Sequence, residues 1–150
     1  MIVVAVVAAF VILSIGIVAL AIVVPKLGAA KMHSQEMAAI LNIRSINTAQ
    51  VQYFMQYGRY PKDLSELAPP SAGLAGPSAA GLIPADLAAG TKSGYSYTLH
   101  VSPTGYTLNA DPVSYNSTGR RTFFSDESLV IRANPGPEPA TSASAELHQP

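Results

Sequence analysis

The chain has no cysteine, and only 12% of its 150 residues are charged. The missing cysteine excludes disulfides, thiolate metal sites and c-type haem attachment. It does not fix a compartment, because exported proteins need not carry disulfides. Nine Lys and Arg balance nine Asp and Glu. With no net charge there is no electrostatic footprint for nucleic acid. His33, His100 and His148 fall in three separate regions without metal-ligand spacing. Nucleophile-elbow and phosphate-loop patterns are both lacking, so the residues give no enzyme reading and require no cofactor.

Charge is scarcest at the start. Met1 to Val24 carry no charged side chain, and Pro25 ends the run. A wetted helix of this kind would be penalised by tens of kcal/mol at about 25 cal/mol per Å². At roughly 1.5 Å per residue it is about 36 Å long, enough to cross a hydrocarbon core of about 30 Å. A cleaved secretory signal is the first rival reading. The run has no basic start, exceeds the usual length, and Gly28-Ala29-Ala30 is a poor cleavage site. Lys26 and Lys31 follow the run with nothing basic before it, which by charge alone places the domain in the cytoplasm. A basic leader already removed would cancel that inference.

Helical character continues beyond Pro25, which should kink the helix, with Gly16 and Gly28 as further weak points. From Lys31 to Tyr57 one apolar stripe runs at helical spacing through Met32, Ala39, Ile43, Ile46, Tyr53, Phe54 and Tyr57. Met37, Leu41 and Met55 form a second, smaller stripe. The first should bury against the chain's own domain. The second either meets a neighbouring copy or is scattered surface Met and Leu. Gly58 is a natural helix terminator, with Pro61 barring continuation. Asp63 and Glu66 have capping-box spacing, and Pro84 to Gly90 frames a short helix.

Strand signals follow. Tyr95–Val101 alternates with period two, Pro103-Thr104-Gly105 reads as a turn, and Tyr106–Ala110 is a second strand. Arg121–Phe124 and Leu129–Arg132 are the third and fourth. Short connections predict an antiparallel meander that covers the helix stripe. After Ala133 the composition turns to Pro, Ser, Ala and Glu, which predicts a disordered or extended tail. The tyrosines read as core and interface anchors.

Asn42–Gln50 followed by Tyr53 and Tyr57-Gly58-Arg59-Tyr60-Pro61 resembles the helix end and exit turn of type IV pilins and type II secretion major pseudopilins. Ser93–Tyr97, Gly105-Tyr106, Ala110-Asp111-Pro112, Thr118–Asp126 and Val130-Ile131-Arg132 are similar to the sheet of the cysteine-free members. The resemblance implies an α+β pilin fold. Its long N-terminal helix would protrude with its apolar half and pack its amphipathic half on a small meander of three or four strands. The organisation expected is a transmembrane or filament-core helix over 1–25, a globular domain over 26–134 and a tail over 135–150.

It further implies a structural subunit of an extracellular filament, a helical homopolymer built through the N-terminal helix. The subunit would be stored in the bacterial inner membrane, trimmed by a prepilin peptidase and polymerised by a pilus or type II secretion assembly machinery. Met1 would be the processed N-terminus, a candidate for N-methylation. Gly16, Pro25 and Gly28 would be where the helix loosens in the filament. A periplasmic pseudopilus piston is the alternative, and a non-polymerising single-pass membrane protein the second. Asp111, Asp126 and Glu127 are weak calcium candidates, since related pseudopilins hold calcium near their sheet loops. This chain lacks a dense oxygen-ligand run, so solvated turn carboxylates are the competing reading. The family usually carries a glutamate a few residues into the mature chain, and Met1–Val6 has no acid. An ammonium buried without that partner would cost about 3–5 kcal/mol.

Overall fold

The computed structural model describes the backbone from residue 2 to 147 and the side chains from Leu27 onward. The first element is a helix, α1 (Ile2–Tyr57). Between Leu27 and Tyr57 it contains no proline and one glycine, so nothing local opposes it. Gly58 ends it, as expected. Its φ of +69° is the left-handed conformation that glycine adopts freely, and its amide donates to the Phe54 carbonyl at 2.8 Å.

After α1, Asp63 caps a 3-10 turn (Leu64–Leu67) by accepting from the amides of Ser65 and Glu66. Glu66 completes only half of the expected capping box. Its carboxylate accepts from the Lys62 amide at 2.9 Å, one residue before the cap. The Pro/Ala/Gly-rich stretch that follows is held by backbone bonds from Ala80, Gly81 and Leu82 to the carbonyls of Glu66, Ala68 and Leu67. Pro84 opens the short helix α2 (Ala85–Ala88), and Gly90 closes it at φ +82°.

Six strands then form one antiparallel sheet in chain order: β1 (Thr91–Lys92), β2 (Tyr95–Ser102), β3 (Gly105–Pro112), β4 (Thr122–Asp126), β5 (Arg132–Asn134) and β6 (Ala145–Glu146). The α+β class and the meander agree with the sequence reading, but the sheet has six strands rather than three or four. The two additions are two-residue edge strands, too short for a periodic signal. The fourth strand also begins later than its β-branched run suggests. Leu129 takes φ +65° and its amide bonds to the Asp126 carbonyl, which closes the turn and delays β5 to Arg132.

The segment after Asn134 differs from a disordered tail. It crosses the outer face of β4 as a strap and returns to pair with β5. The Thr122 hydroxyl donates to the Glu138 carbonyl (2.7 Å), Asn109 donates to the Ala140 carbonyl (2.8 Å), and Arg132 reaches Ser144 and Glu146. Ala140, within the strap, is fully buried against the sheet. Composition alone is blind to partners supplied by distant strands.

The core lies between α1 and the inner sheet face. Ala39, Ile40, Ile43, Ile46, Ala49 and Tyr53 of α1 meet Tyr95, Tyr97, Tyr106, Leu108, Ala110 and Phe123. Phe54, expected on the buried stripe, is 45% exposed. It lies at the end of α1 and leans on Tyr60 of the exit turn, centroids 4.9 Å apart. Polar groups also enter this interface. Asn47 donates to Ser125 Oγ (2.8 Å) and accepts from the Tyr106 hydroxyl (3.0 Å), while Asn42 donates to the Tyr97 hydroxyl (2.9 Å). These bonds fix the rotation of α1 on the sheet, because each is lost if the helix turns.

Candidate assembly face and the groove opposite it

With its core face fixed, α1 presents a second line of residues away from the sheet. Leu27, Ala30, Ser34, Met37, Leu41, Arg44, Thr48, Val51 and Met55 alternate at spacings of three and four, and all are exposed. That spacing is the period of a seam against another helix. Leu27 is 64% exposed, Leu41 59% and Met55 81%. The second stripe of the sequence reading, Met37, Leu41 and Met55, is thus solvent-facing and extends to Leu27 and Val51. Arg44 sits midway along it and has no ion-pair partner among the described residues, and Lys31 likewise.

Of the residues assigned to assembly, only Gly28 can be placed. It is helical and exposed, and a methyl group added there would meet nothing within 4 Å. Among the described residues nothing therefore requires glycine at this position. Met1 lies outside the described residues, and so do the side-chain surroundings of Gly16 and Pro25. Among the described residues no helix is long and apolar enough to cross a membrane. The side chains of the uncharged run that carries the membrane expectation lie outside those described.

Two polar clusters hold the domain in shape. Glu36, buried on α1, accepts from the Arg120 amide (2.8 Å) and from Arg121 Nε (2.9 Å). Glu66 accepts from Arg59 (2.8 Å), the Lys62 amide (2.9 Å) and the Tyr53 hydroxyl (2.9 Å). Burial raises the Glu66 carboxyl, but these bonds outweigh it and hold the group below the ordinary glutamate range. Burial, aided by the hydrogen bond and charge of Glu66, pushes the Tyr53 hydroxyl up to about 12. Sequence reasoning missed Glu36. The available signal was an acid at helical spacing within an apolar stripe, Met32-Glu36-Ala39-Ile43.

On the far side of the sheet, strand alternation turns Thr98, His100, Thr107, Asn109, Asp111 and Asp126 outward. The strap walls this surface into a groove of about 570 Å³. The three calcium candidates all line it, so the fold brings Asp111, Asp126 and Glu127 to one place. They do not converge there: among the described residues no group of three His, Cys, Asp or Glu is placed to hold a metal ion. Asp126 caps its own turn by accepting from Ser128. Burial raises the Asp111 carboxyl, whose Oδ1 is enclosed without a hydrogen-bond partner. His100 lines the groove and His33 is exposed on α1, far along the chain from it. His148 lies outside the described residues. Tyr53, Tyr95, Tyr97 and Tyr106 are core residues, and Tyr115 is surface-exposed.

Comparison with protein-family models, curated proteins and solved structures gives no match to this chain.

Proposed function

We propose that the chain is the structural subunit of a type IV pilus-like extracellular filament, with no catalytic role. The observation that carries this reading is the exposed seam on α1, opposite the sheet and in line with the uncharged run Met1–Val24. A domain with its own complete core has no internal use for that seam. A row of exposed Leu, Met and Val at helix-packing spacing is what association through α1 requires.

In this reading the unassembled subunit rests in the bacterial inner membrane. An assembly machinery then transfers α1 from lipid into a bundle of identical helices. Apolar burial is retained in the transfer, since neighbouring helices replace lipid. The contact is head-to-tail and does not close, so it propagates as a helical polymer.

The test is electron microscopy of material sheared from cells that express the chain. Fibres containing it are expected. Leu41→Glu would bury a charge in each contact and should lower fibre yield about tenfold or more. Fibres seen only on overexpression would favour the pseudopilus piston. Their absence under all conditions would favour the non-polymerising membrane protein.

A further inference from the structure

We propose that the outer-face groove binds a saccharide that is uncharged or carries amino groups. The groove is formed by the open faces of β2 and β3 and by the strap over β4, so it exists only because residues 137–142 fold back. Its volume, about 570 Å³, lies in the range of roughly 300–1,000 Å³ typical of small-ligand sites. Its lining decides the class of ligand. Asp111, Asp126 and Glu127 face the groove with no lysine or arginine among the lining residues, so phosphates, sulfates and acidic sugars would be repelled. The carboxylates stand apart rather than around one point, which disfavours a bare metal ion. A purely apolar ligand would strand the hydroxyls of Thr98, Thr107 and Ser142.

What remains is a ligand rich in hydroxyl groups. The register lays out the outward side chains as a grid: His100, Thr107 and Asp126 form one polar row across three strands, and Thr98 and Asn109, ending at Phe124, the next. Neighbouring positions in a row are about 4.8 Å apart, the strand spacing. Such a grid suits an extended chain of hydroxyls better than a compact ion. Asn109 is oriented by its bond from Nδ2 to the Ala140 carbonyl, which leaves its Oδ1 to accept. Asp111 lines the groove, and a hydroxyl or amine brought by a ligand can pair with the carboxylate oxygen that faces it. Phe124 in the floor is mostly covered and leaves a small apolar edge to the ligand, with Pro139 beside it in the strap.

The test needs no fibre, so its outcome is independent of the filament reading. The full chain, dispersed in a zwitterionic detergent that contains no sugar, is passed over immobilised maltotriose, chitotriose, de-acetylated chitotriose and sialyllactose. Retention on at least one of the first three and not on sialyllactose is expected. Thr107→Arg fills the groove and should abolish retention, with an unchanged circular dichroism spectrum as the check on folding. Asp111→Asn keeps the shape, removes the carboxylate charge and should weaken retention about five- to tenfold. Retention of none of the three, equal retention of sialyllactose, or binding unaffected by both variants would overturn the proposal. So would binding of spermidine, sensitive to both variants, in place of any saccharide.

Discussion

Glu36 occupies the buried face of α1, where helical periodicity alone would put an aliphatic side chain. It is tolerated because three donor contacts from Arg120 and Arg121 replace the water it gives up. Removing the carboxylate strands those donors. Glu36→Ala should cost about 2 kcal/mol, less than a fully enclosed pair because Arg121 keeps contact with water. Glu36→Gln should recover part of the loss, and urea denaturation measures both. Gly119 is a second position where one atom decides. A methyl group there would meet the buried Tyr95 ring, with a ring carbon at 2.7 Å, and Tyr95 is held by its bond to the Arg121 carbonyl. Gly119→Ala should cost about 3 kcal/mol and lower Tm by about 10 °C. Calorimetry showing no shift would contradict that packing.

Tyr53 and Glu66 make the stability of this corner depend on pH in opposite directions. Folding raises the Tyr53 hydroxyl to about 12, so its contribution is complete below pH 10 and lost as pH rises toward 12. Tyr95 and Tyr106 are pushed up further, chiefly by burial, and add to the alkaline loss. Folding lowers Glu66, so its contribution is complete above the unfolded value of about 4.5 and is lost as pH falls below it. Tyr53→Phe should therefore be less stable than the parent by about 1 kcal/mol at neutral pH. That deficit should shrink between pH 10 and 12, as denaturant midpoints at stepped pH would show.

At the scale of elements, legibility followed locality. The end of α1 was readable because Gly58 and Pro61 act on their own backbone. The β2–β3 hairpin was readable because alternation and the Pro103-Thr104 turn lie within a few residues of each other. What escaped depends on distant partners. Phe54 has the right spacing for the core, but the sheet does not reach it. The strap and β6 look like a solvated tail until Thr122, Asn109 and Arg132 supply donors from elsewhere in the chain. Of the candidate site, the second stripe on α1 was legible as a periodicity. The groove was not, because its rows come from three strands and a returning segment. Gly28 belongs to this scale too. Gly28→Ala should stabilise α1 by about 1 kcal/mol, read as helix content by circular dichroism on heating. If the helix must loosen near Gly28 on assembly, the same change should lower fibre yield while raising the stability of the subunit.

Taken whole, the molecule is neutral but not uniform. Among the described residues four ion pairs join Arg59 to Glu66, Lys92 to Asp86, Arg121 to Glu36 and Arg132 to Glu146. Of the charges they leave, Lys31 and Arg44 lie along the free side of α1, while Asp111, Asp126 and Glu127 line the outer groove. One side is built as an apolar seam and the other as a polar groove. In the proposed filament the seam faces inward and the groove faces the surroundings. The absence of cysteine makes the direct test simple, because a single introduced thiol reports one position. Leu41→Cys is treated with a water-soluble maleimide, once in detergent-dispersed subunits and once in sheared surface material, with Ser142→Cys in the groove as the control. The Leu41→Cys thiol should be labelled when dispersed and protected when assembled, while the Ser142→Cys thiol should be labelled in both. Equal labelling at 41 in the two states would contradict the inward-facing seam.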